Sequence, residues 1–336
     1  MRLYCLRTVI LGEIIRFSSI REKPMELLAQ YGLFLLKAIT VVIASLVIVG
    51  AIFNSRRKSE NGLEITSLNQ EFQKIKKHMH HTVFNKKIKN KKNKDKVKKD
   101  CVFVLDFIGD IKASSVESLR REISAILSIA SPQDEVVLRL ESPGGTVNGY
   151  GLAASQLQRI RDKNIPLTVC IDKVAASGGY LMACVANRVV AAPFAIVGSI
   201  GVVAQLPNFH RFLKKHNIDF EQITAGDYKR TLTVFGENSE KGRKKFKEDL
   251  ELIHKRFGEY ILDHRNTVDL EQIATGEHWL ARDAFELSLV DKLKTSDDYI
   301  IEKLETHNIY HVEIEKKVSL SEKLFKQAAK LSNPWA

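Results

Sequence analysis

A serine followed by two glycines stands where a predicted strand passes into a predicted helix. Ser177 lies in the junction VAASGGY (174–180), directly after the strand-like PLTVCID (166–172), and begins the segment SGGYLMACVA (177–186), which is typical of a helix. A serine at such a junction carries its hydroxyl at the helix N-terminus, and the amide of Gly178 is available to a developing negative charge. Acyl transfer uses such an arrangement. A helix N-cap explains Ser177 equally well, so this motif alone leaves both interpretations open.

A second glycine-bearing junction lies upstream. The segment SPGG (142–145) separates the strand-like EVVLRLES (135–142) from a helical pattern over 147–163. Proline fixes one backbone dihedral and adjacent glycines permit positive φ, so amide N–H groups can turn outward beside a helix N-terminus and hold an oxyanion. Taken alone, these residues are explained more simply by a tight turn.

Short apolar runs alternate with amphipathic patterns from residue 101 onward. The segments 101–107 and 187–193 favour strands, as do the two strands already named, and SSVESLRREISAILSIA (114–130) favours a helix. Strands that alternate with helices roughly every 20 to 30 residues predict an α/β fold with mainly parallel strands. Catalytic groups then belong at the strand-to-helix junctions.

An apolar stretch precedes this region. Residues 33–53 contain a single charge, Lys37, and are long enough to cross a hydrocarbon core of about 30 Å. We therefore predict a retained transmembrane anchor, with a cleavable signal peptide as the alternative. A second apolar stretch, 182–206, contains Asn, Arg and Pro and is better explained by buried core strands. Residues 1–32 form an N-terminal segment in which translation could begin at Met25.

Positive charge is concentrated in a lysine-rich linker, residues 54–100. The 336-residue chain has a formal net charge of +12; residues 56–99 hold 15 Lys and Arg against four acidic residues, a net of +11 that leaves +1 for the rest. A globally basic protein would favour nucleic acid, whereas one basic segment on a near-neutral body favours a solvated tether or anionic lipid. We predict membrane lipid, and no nucleic acid, as a partner.

Composition excludes several classes of protein. With 44% apolar and 27% charged residues, 18 Gly and 7 Pro, the chain is neither disordered nor collagen-like, and four cysteines do not make a disulfide scaffold. The cysteines lack zinc-type spacing. His78, His80 and His81 lie in a polar segment, where a surface cluster is the simpler explanation. No cofactor and no metal are predicted.

Four segments occur together in the order and spacing of a known family. They resemble motifs of the S49 family of membrane serine peptidases: LRLESPGG (138–145), DKVAASGGY (172–180), FAIVGSIGVV (194–203) and AGDYKRTLTVFGENSE (225–240). The resemblance covers most of residues 25–300. It implies an α/β fold with a repeated ββα core of the crotonase and Clp type and a mainly parallel sheet, preceded by the N-terminal transmembrane helix.

The same resemblance implies a Ser–Lys catalytic dyad. Ser177 matches the family's nucleophile and Lys229 its general base. The backbone amides of Gly145 and Gly178 match the oxyanion hole, and Ser199 matches a serine that orients the lysine. A lysine deprotonates a serine near neutral pH only when its ammonium form is destabilised, so Lys229 should be shielded from water when substrate binds.

Two other bases remain as alternatives. Lys173 precedes Ser177 by four residues, although a side chain on the preceding strand need not point the same way. His210 together with Asp172 would make a Ser–His–Asp triad.

The implied activity is that of a membrane-anchored serine endopeptidase. It would hydrolyse peptide bonds in membrane-associated peptides or proteins, such as signal-peptide remnants or misfolded proteins, as a homo-oligomer in the bacterial inner membrane. The peptidase domain is expected over 101–300, with a strand and helix extension over 301–336. The basic excess after the anchor favours a cytoplasmic catalytic domain, whereas relatives work on the outer side, so the side is left open. A crotonase-type acyl-CoA enzyme and a non-catalytic membrane scaffold are the rival functions.

Overall fold

The computed structural model describes residues 30–45, 62–84 and 99–314. The chain divides into two compact units, Met1–Gly62 and Leu63–Ala336. In the first unit, residues 30–45 are helical (α1). Within the described ranges, no helix has both the length and the apolar character that a membrane crossing requires. The predicted anchor is described only as far as residue 45. The proposed start at Met25, residues 54–61 and 85–98 of the lysine-rich linker and the predicted C-terminal helix lie outside the described residues.

Ten strands are described in the second unit. They are β1 (Leu63–Ser67), β2 (Cys101–Ile108), β3 (Glu135–Glu141), β4 (Leu167–Ile171), β5 (Val174–Ala176), β6 (Arg188–Ala191), β7 (Ile196–Gly198), β8 (His278–Leu280), β9 (Lys292–Leu293) and β10 (Asn308–Ile314). Seven form one sheet in the order β1-β10-β2-β3-β4-β6-β9. All its neighbours are parallel except β1 and β10, which are antiparallel. The prediction of an α/β fold with a mainly parallel sheet is confirmed.

Nine helices are described in this unit, and several of them pack on the two faces of the large sheet. They are α2 (Leu68–Phe84), α3 (Val116–Leu127), α4 (Val147–Asp162), α5 (Gly178–Ala183), α6 (His210–Lys215), α7 (Glu240–His264), α8 (Leu270–Ile273), α9 (Ala281–Glu286) and α10 (Ser296–Lys303). Alternate residues of a strand point to opposite faces, so in β2 Phe103 and Leu105 pack in the main core with α3 and α4, while Val102 and Val104 pack in a smaller core with α10. Burial on both faces explains why the central strands are near-continuous apolar runs.

A smaller sheet, β5-β7-β8, lies beside the large one. In it β5 is parallel to β7, and β7 is antiparallel to β8. β4 belongs to the large sheet and β5 to the small one, although only Asp172 and Lys173 separate them. Ser142, directly after β3, forms a bridge to Ala175 of β5. The two glycine-bearing junctions therefore meet where the two sheets join.

The elements predicted between residues 101 and 193 are confirmed with small changes at their ends, and 182–206 contributes β6 and β7 to the fold. The junction 174–180 is not a single turn out of the strand 166–172, because β4 ends at Ile171 and the first three residues of the junction form a separate strand, β5, whose end precedes Ser177. The chain leaves the large sheet at Asp172, whose carboxylate accepts hydrogen bonds from Ser296 N (2.8 Å) and Oγ (2.5 Å) at the start of α10. Three-residue β5 carries no alternation that would mark it as a separate strand.

Regular structure also extends beyond the predicted peptidase boundaries. The predicted linker contributes β1 and α2, and the predicted C-terminal extension contributes β10, which lies between β1 and β2 in the large sheet.

Burial keeps the thiols of Cys170 and Cys184 protonated, because it raises the pKa of each to about 12.

Candidate active site

The backbone turns sharply at Ser177, between β5 and α5. Its φ is +52° and its ψ is −119°, a combination that non-glycine residues rarely adopt. Its N–H donates to the carbonyl of Gly198 (2.7 Å) and its own carbonyl accepts from Leu181 N (3.0 Å), so the conformation is held from both sides. Strain of this kind at a strand-to-helix turn presents a serine hydroxyl at the surface of a cleft, as in nucleophile elbows. The Ser177 side chain makes no capping hydrogen bond to α5, so the N-cap interpretation does not explain it.

The SPGG segment lies directly against this turn. Ser142 N donates to Val174 O (2.8 Å) and Ala176 N donates to Ser142 O (3.0 Å), which continues β3 alongside β5. Gly144 has a φ of +92°, and a Cβ there would lie 2.8 Å from both Gly178 N and Ser177 Cβ. Only glycine therefore permits this approach.

Gly145 and Gly178 are both placed where a side chain would not fit. A Cβ on Gly145 would overlap the carbonyl of Ile111, and one on Gly178 would overlap the ring of Tyr150. Gly178 is the first residue of α5, so its N–H has no partner within the helix and lies at the positive end of the helix. Both glycines line the same cavity as Ser177.

The hydroxyl of Tyr150 holds the first residue of the SPGG segment, Ser142, in a buried contact that the sequence patterns did not indicate. Ser142 Oγ lies 2.5 Å from Tyr150 OH and accepts from Gly144 N at 3.1 Å. Tyr150 OH donates to Asp110 O (2.9 Å), which leaves the Ser142 hydroxyl to donate to Tyr150. Both side chains are fully buried, and burial raises the pKa of Tyr150. The signal in the sequence was a tyrosine among the small residues of NGYGLAAS, opposite the glycines it packs on.

Ser199 directly follows β7, the strand that pairs with β5, and Ser177 directly follows β5. β5 and β7 are in register with Ala176 opposite Gly198, so the residues that follow each strand, Ser177 and Ser199, leave the small sheet side by side. Ser199 also has a positive φ, +51°, and its N–H donates to Glu277 O (2.6 Å).

A cavity of about 1440 Å³ brings four of the five predicted site residues together. Ser177, Gly178, Gly145 and Ser199 all line it. Much of the remaining wall is apolar and comes from several elements, including Ile111, Val147, Leu181, Val203 and Phe257. The arrangement places a serine hydroxyl, two glycine backbones and an apolar surface around one cavity.

Lys229 lies elsewhere in the structure. It is exposed, and with Ile223, Leu232 and Phe235 it lines a separate cavity of about 700 Å³. Its N–H donates to Gly226 O (3.1 Å) in a turn that begins with a φ of +95°. The Ser177–Lys229 dyad therefore stays a prediction.

The neighbouring Tyr228 connects this turn to α7. Lys241 Nζ lies 5.5 Å and Lys245 Nζ 5.7 Å from the centre of its ring, within the range of cation–π attraction. Lys245 in turn donates to Asp249 (2.6 Å). The ring of Tyr228 thus fixes the turn that carries Lys229 against a long helix.

The two alternative bases have other partners or positions. Lys173 Nζ pairs with the carboxylate of Glu141 at 2.9 Å, and its side chain is 71% exposed. Asp172 is occupied by Ser296, as described above, and His210 begins α6 and does not line the cavity of Ser177. The described residues thus give no support to a triad.

Comparisons with known proteins place the chain in a family. "Peptidase family S49 N-terminal" matches residues 26–157 and "Peptidase family S49" matches 159–309. The "Probable protease SohB" of Haemophilus influenzae is 48% identical over 329 residues, covering 90% of this chain and 93% of that protein. The protein of the same name from Buchnera aphidicola subsp. Acyrthosiphon pisum is 49% identical over 308 residues, covering 86% and 90%. The chain therefore belongs to peptidase family S49.

This membership confirms the predictions of an S49 peptidase and of a serine protease, and it favours them over an acyl-CoA enzyme or a scaffold. Among solved structures, a mutant of a membrane-bound stomatin-specific protease in complex with a substrate peptide aligns with 70% of this chain and 100% of that chain, at 13% identity and a TM-score of 0.43. A likeness this distant carries no further argument.

Proposed function

We propose that the chain is a membrane-anchored serine endopeptidase with Ser177 as nucleophile and Lys229 as general base. The observation that carries the proposal is the strained turn at Ser177, held against Gly144 and opening into a cavity shared with Ser199. A conformation that costs of order 1–3 kcal/mol is retained where it serves a site.

The chemistry follows from these positions. Ser177 Oγ attacks the scissile carbonyl carbon while its proton passes to Lys229 Nζ, and the carbonyl oxygen becomes an oxyanion that accepts from the N–H groups of Gly145 and Gly178. The C–N bond then breaks, and the leaving amine takes the proton from Lys229. Water then attacks the acyl carbon while Lys229 accepts its proton; the bond to Ser177 Oγ breaks, and Ser177 Oγ takes that proton from Lys229, which restores the hydroxyl and the neutral amine.

Lys229 and Ser177 line different cavities, so this chemistry requires either that Lys229 moves to Ser177 of its own subunit or that it reaches Ser177 of another subunit. We propose that it reaches Ser177 in a substrate-bound homo-oligomer, where its amine is shielded from water and oriented by Ser199. The position of Ser199 beside Ser177 at the ends of paired strands supports that role. Until then, the contacts of the Tyr228 ring with Lys241 and Lys245 of α7 would keep the Lys229 turn in place.

The proposed substrates are membrane-associated peptides or proteins, including signal-peptide remnants and misfolded proteins. The apolar walls of the cavity suit apolar peptide segments, and an anchor over residues 33–53 in the bacterial inner membrane would raise the local concentration of such chains. The finer fold assignment, a repeated ββα core of the crotonase and Clp type, is supported by the β4–β5–α5 unit, whose two strands lie in different sheets.

The nucleophile is tested with a fluorophosphonate probe and peptide hydrolysis. Ser177→Ala should lose both labelling and activity, whereas Ser155→Ala should lose neither. Ser155 is the matched control because it lines the same cavity but lies within α4 and donates to Gly151 O (2.8 Å). Labelling that survives in Ser177→Ala and disappears in Ser155→Ala would overturn the assignment.

The base is tested separately. Lys229→Ala should abolish hydrolysis, while Lys173→Ala and His210→Ala should leave it intact. Activity that persists without Lys229 and is lost without His210 would replace the dyad with a triad.

Alkaline extraction of membranes containing the full chain tests the anchor: an integral protein stays in the pellet.

A further inference from the structure

Helix α2 carries an apolar stripe that the described residues leave uncovered. Phe72, Ile75, Met79 and Val83 recur at intervals of three and four, which places them on one face of the helix. Their exposed fractions are 37%, 59%, 56% and 61%, and no residue of α2 is buried. An exposed apolar stripe of this length marks a contact surface rather than scattered surface residues.

The first turn of α2 fixes the helix to the large sheet. The side-chain amide of Asn69 donates to the carbonyls of Leu304 (3.1 Å) and His307 (3.0 Å), and its oxygen accepts from Ile309 N (2.7 Å). Leu68 packs against the smaller core under α10. The helix is thus held at its start, and its stripe has a defined direction relative to the sheet.

Charge indicates what covers the stripe. α2 contains Lys74, Lys76 and Lys77 and a single acidic residue, Glu71. The sequence continues with nine Lys and one Asp over residues 86–99. Anionic lipid headgroups attract such a segment by about 1 kcal/mol per lysine near the surface, whereas a second copy of it would bring like charges together. An apolar stripe on a basic helix is the pattern of helices that lie in a membrane surface.

We propose that α2 is a membrane-surface helix whose apolar stripe enters an anionic bilayer at headgroup depth while its lysines bind the phosphate groups of the lipids. The inference rests in part on the proposed anchor, since α2 begins fifteen residues after residue 53. A second surface contact of this kind would hold the peptidase unit at a fixed tilt over the bilayer, which a flexible tether cannot do.

The test uses the full chain in vesicles of phosphatidylcholine with or without phosphatidylglycerol. An environment-sensitive fluorophore is attached at Met79→Cys, on the stripe, or at Lys77→Cys, on the opposite face, with Cys5 and Cys101 replaced by serine. Both labelled positions are exposed, so neither change removes a core contact. Lipids spin-labelled near the headgroup should quench the fluorophore at position 79 more than at position 77. The difference should be larger with phosphatidylglycerol and should shrink when Lys74 and Lys76 are changed to Gln in both labelled variants.

Equal quenching at the two positions in anionic vesicles overturns the proposal. A blue-shifted but unquenched fluorophore at position 79 also overturns it and assigns the stripe to a second copy of the chain. Alkaline extraction of the same samples separates this result from the anchor. If alkali extracts the protein from the membrane but the fluorophore at position 79 is still quenched in added anionic vesicles, the anchor is contradicted and the surface helix is not. If the protein stays in the membrane but the fluorophore at position 79 is not quenched, the surface helix is contradicted and the anchor is not.

Discussion

Gly144 is the position where one methyl group would disturb the candidate site most directly. A Cβ there would lie 2.8 Å from Ala176 O, Gly178 N and Ser177 Cβ. Non-bonded carbon atoms ordinarily lie about 3.5–4.0 Å apart, so the SPGG segment or Ser177 must move by roughly 0.7–1.2 Å. A misplacement of about 1 Å costs about 100-fold in rate, and an alanine held at positive φ costs about 1–2 kcal/mol. We therefore expect Gly144→Ala to lower kcat/KM about 100-fold and the free energy of unfolding by about 1–2 kcal/mol.

The assay is hydrolysis of a fluorogenic peptide, with the folded fraction of each variant checked by thermal unfolding. Gly151→Ala is the matched control, because Gly151 lines the same cavity within α4 and a Cβ there meets nothing within 4 Å. That variant should keep its activity and gain about 0.5–1 kcal/mol of stability, since alanine is preferred over glycine in a helix interior. If Gly144→Ala keeps the wild-type kcat/KM, the approach of the SPGG segment to Ser177 has no catalytic importance and the reasoning is refuted.

Three further variants test the described packing and the Lys229 turn. Burial opposes ionisation of Asp106, but hydrogen bonds from His311 and Arg139 lower its pKa to about 2. Asp106→Asn should therefore cost about 1 kcal/mol of unfolding free energy at pH 7, a difference that closes as the pH falls from about 4 to 2; urea titrations showing a constant difference would contradict this. Glu135→Ala leaves Lys303 without the carboxylate that lies 2.6 Å from its Nζ, and it should lower the unfolding free energy by about 2–3 kcal/mol. In peptide hydrolysis kcat should be unchanged. A loss of kcat without a loss of stability would contradict a purely structural role for this pair. Tyr228→Leu removes two cation–π contacts worth about 0.5–1 kcal/mol each and should lower kcat about 5- to 30-fold without raising KM. Tyr228→Phe keeps the ring and should keep the rate. Equal rates in the two variants would show that the contact of the Tyr228 ring with α7 is unimportant for catalysis.

Local sequence patterns predicted most of the elements around the site. The alternation of strands and helices between residues 101 and 193 was readable because each strand is an apolar run and each long helix has its apolar residues on one face. The glycine pairs were readable as positions of unusual backbone, since glycine permits positive φ. The family motifs added the predicted roles of Ser177 and Ser199, which no periodicity indicates.

The remaining features depended on contacts between distant residues. A three-residue strand such as β5 has no pattern of its own and exists because β7 and Ser142 pair with it. The support of the SPGG segment by Tyr150 likewise needs a helix packed against two glycines. Neither can be deduced from a window of neighbouring residues.

By itself the sequence determined where the strands and helices lie, where the backbone can turn sharply, and which serines resemble those of an S49 peptidase. Only the tertiary structure decided which of these residues meet. Hydrogen bonds from Ser142 to β5 and from β5 to β7 bring Gly144, Ser177 and Ser199 into one cavity across 55 positions of sequence, while Lys229 lines another. The physical reason is that strand pairing joins segments by register rather than by sequence distance, whereas an exposed turn is positioned by whatever packs against it.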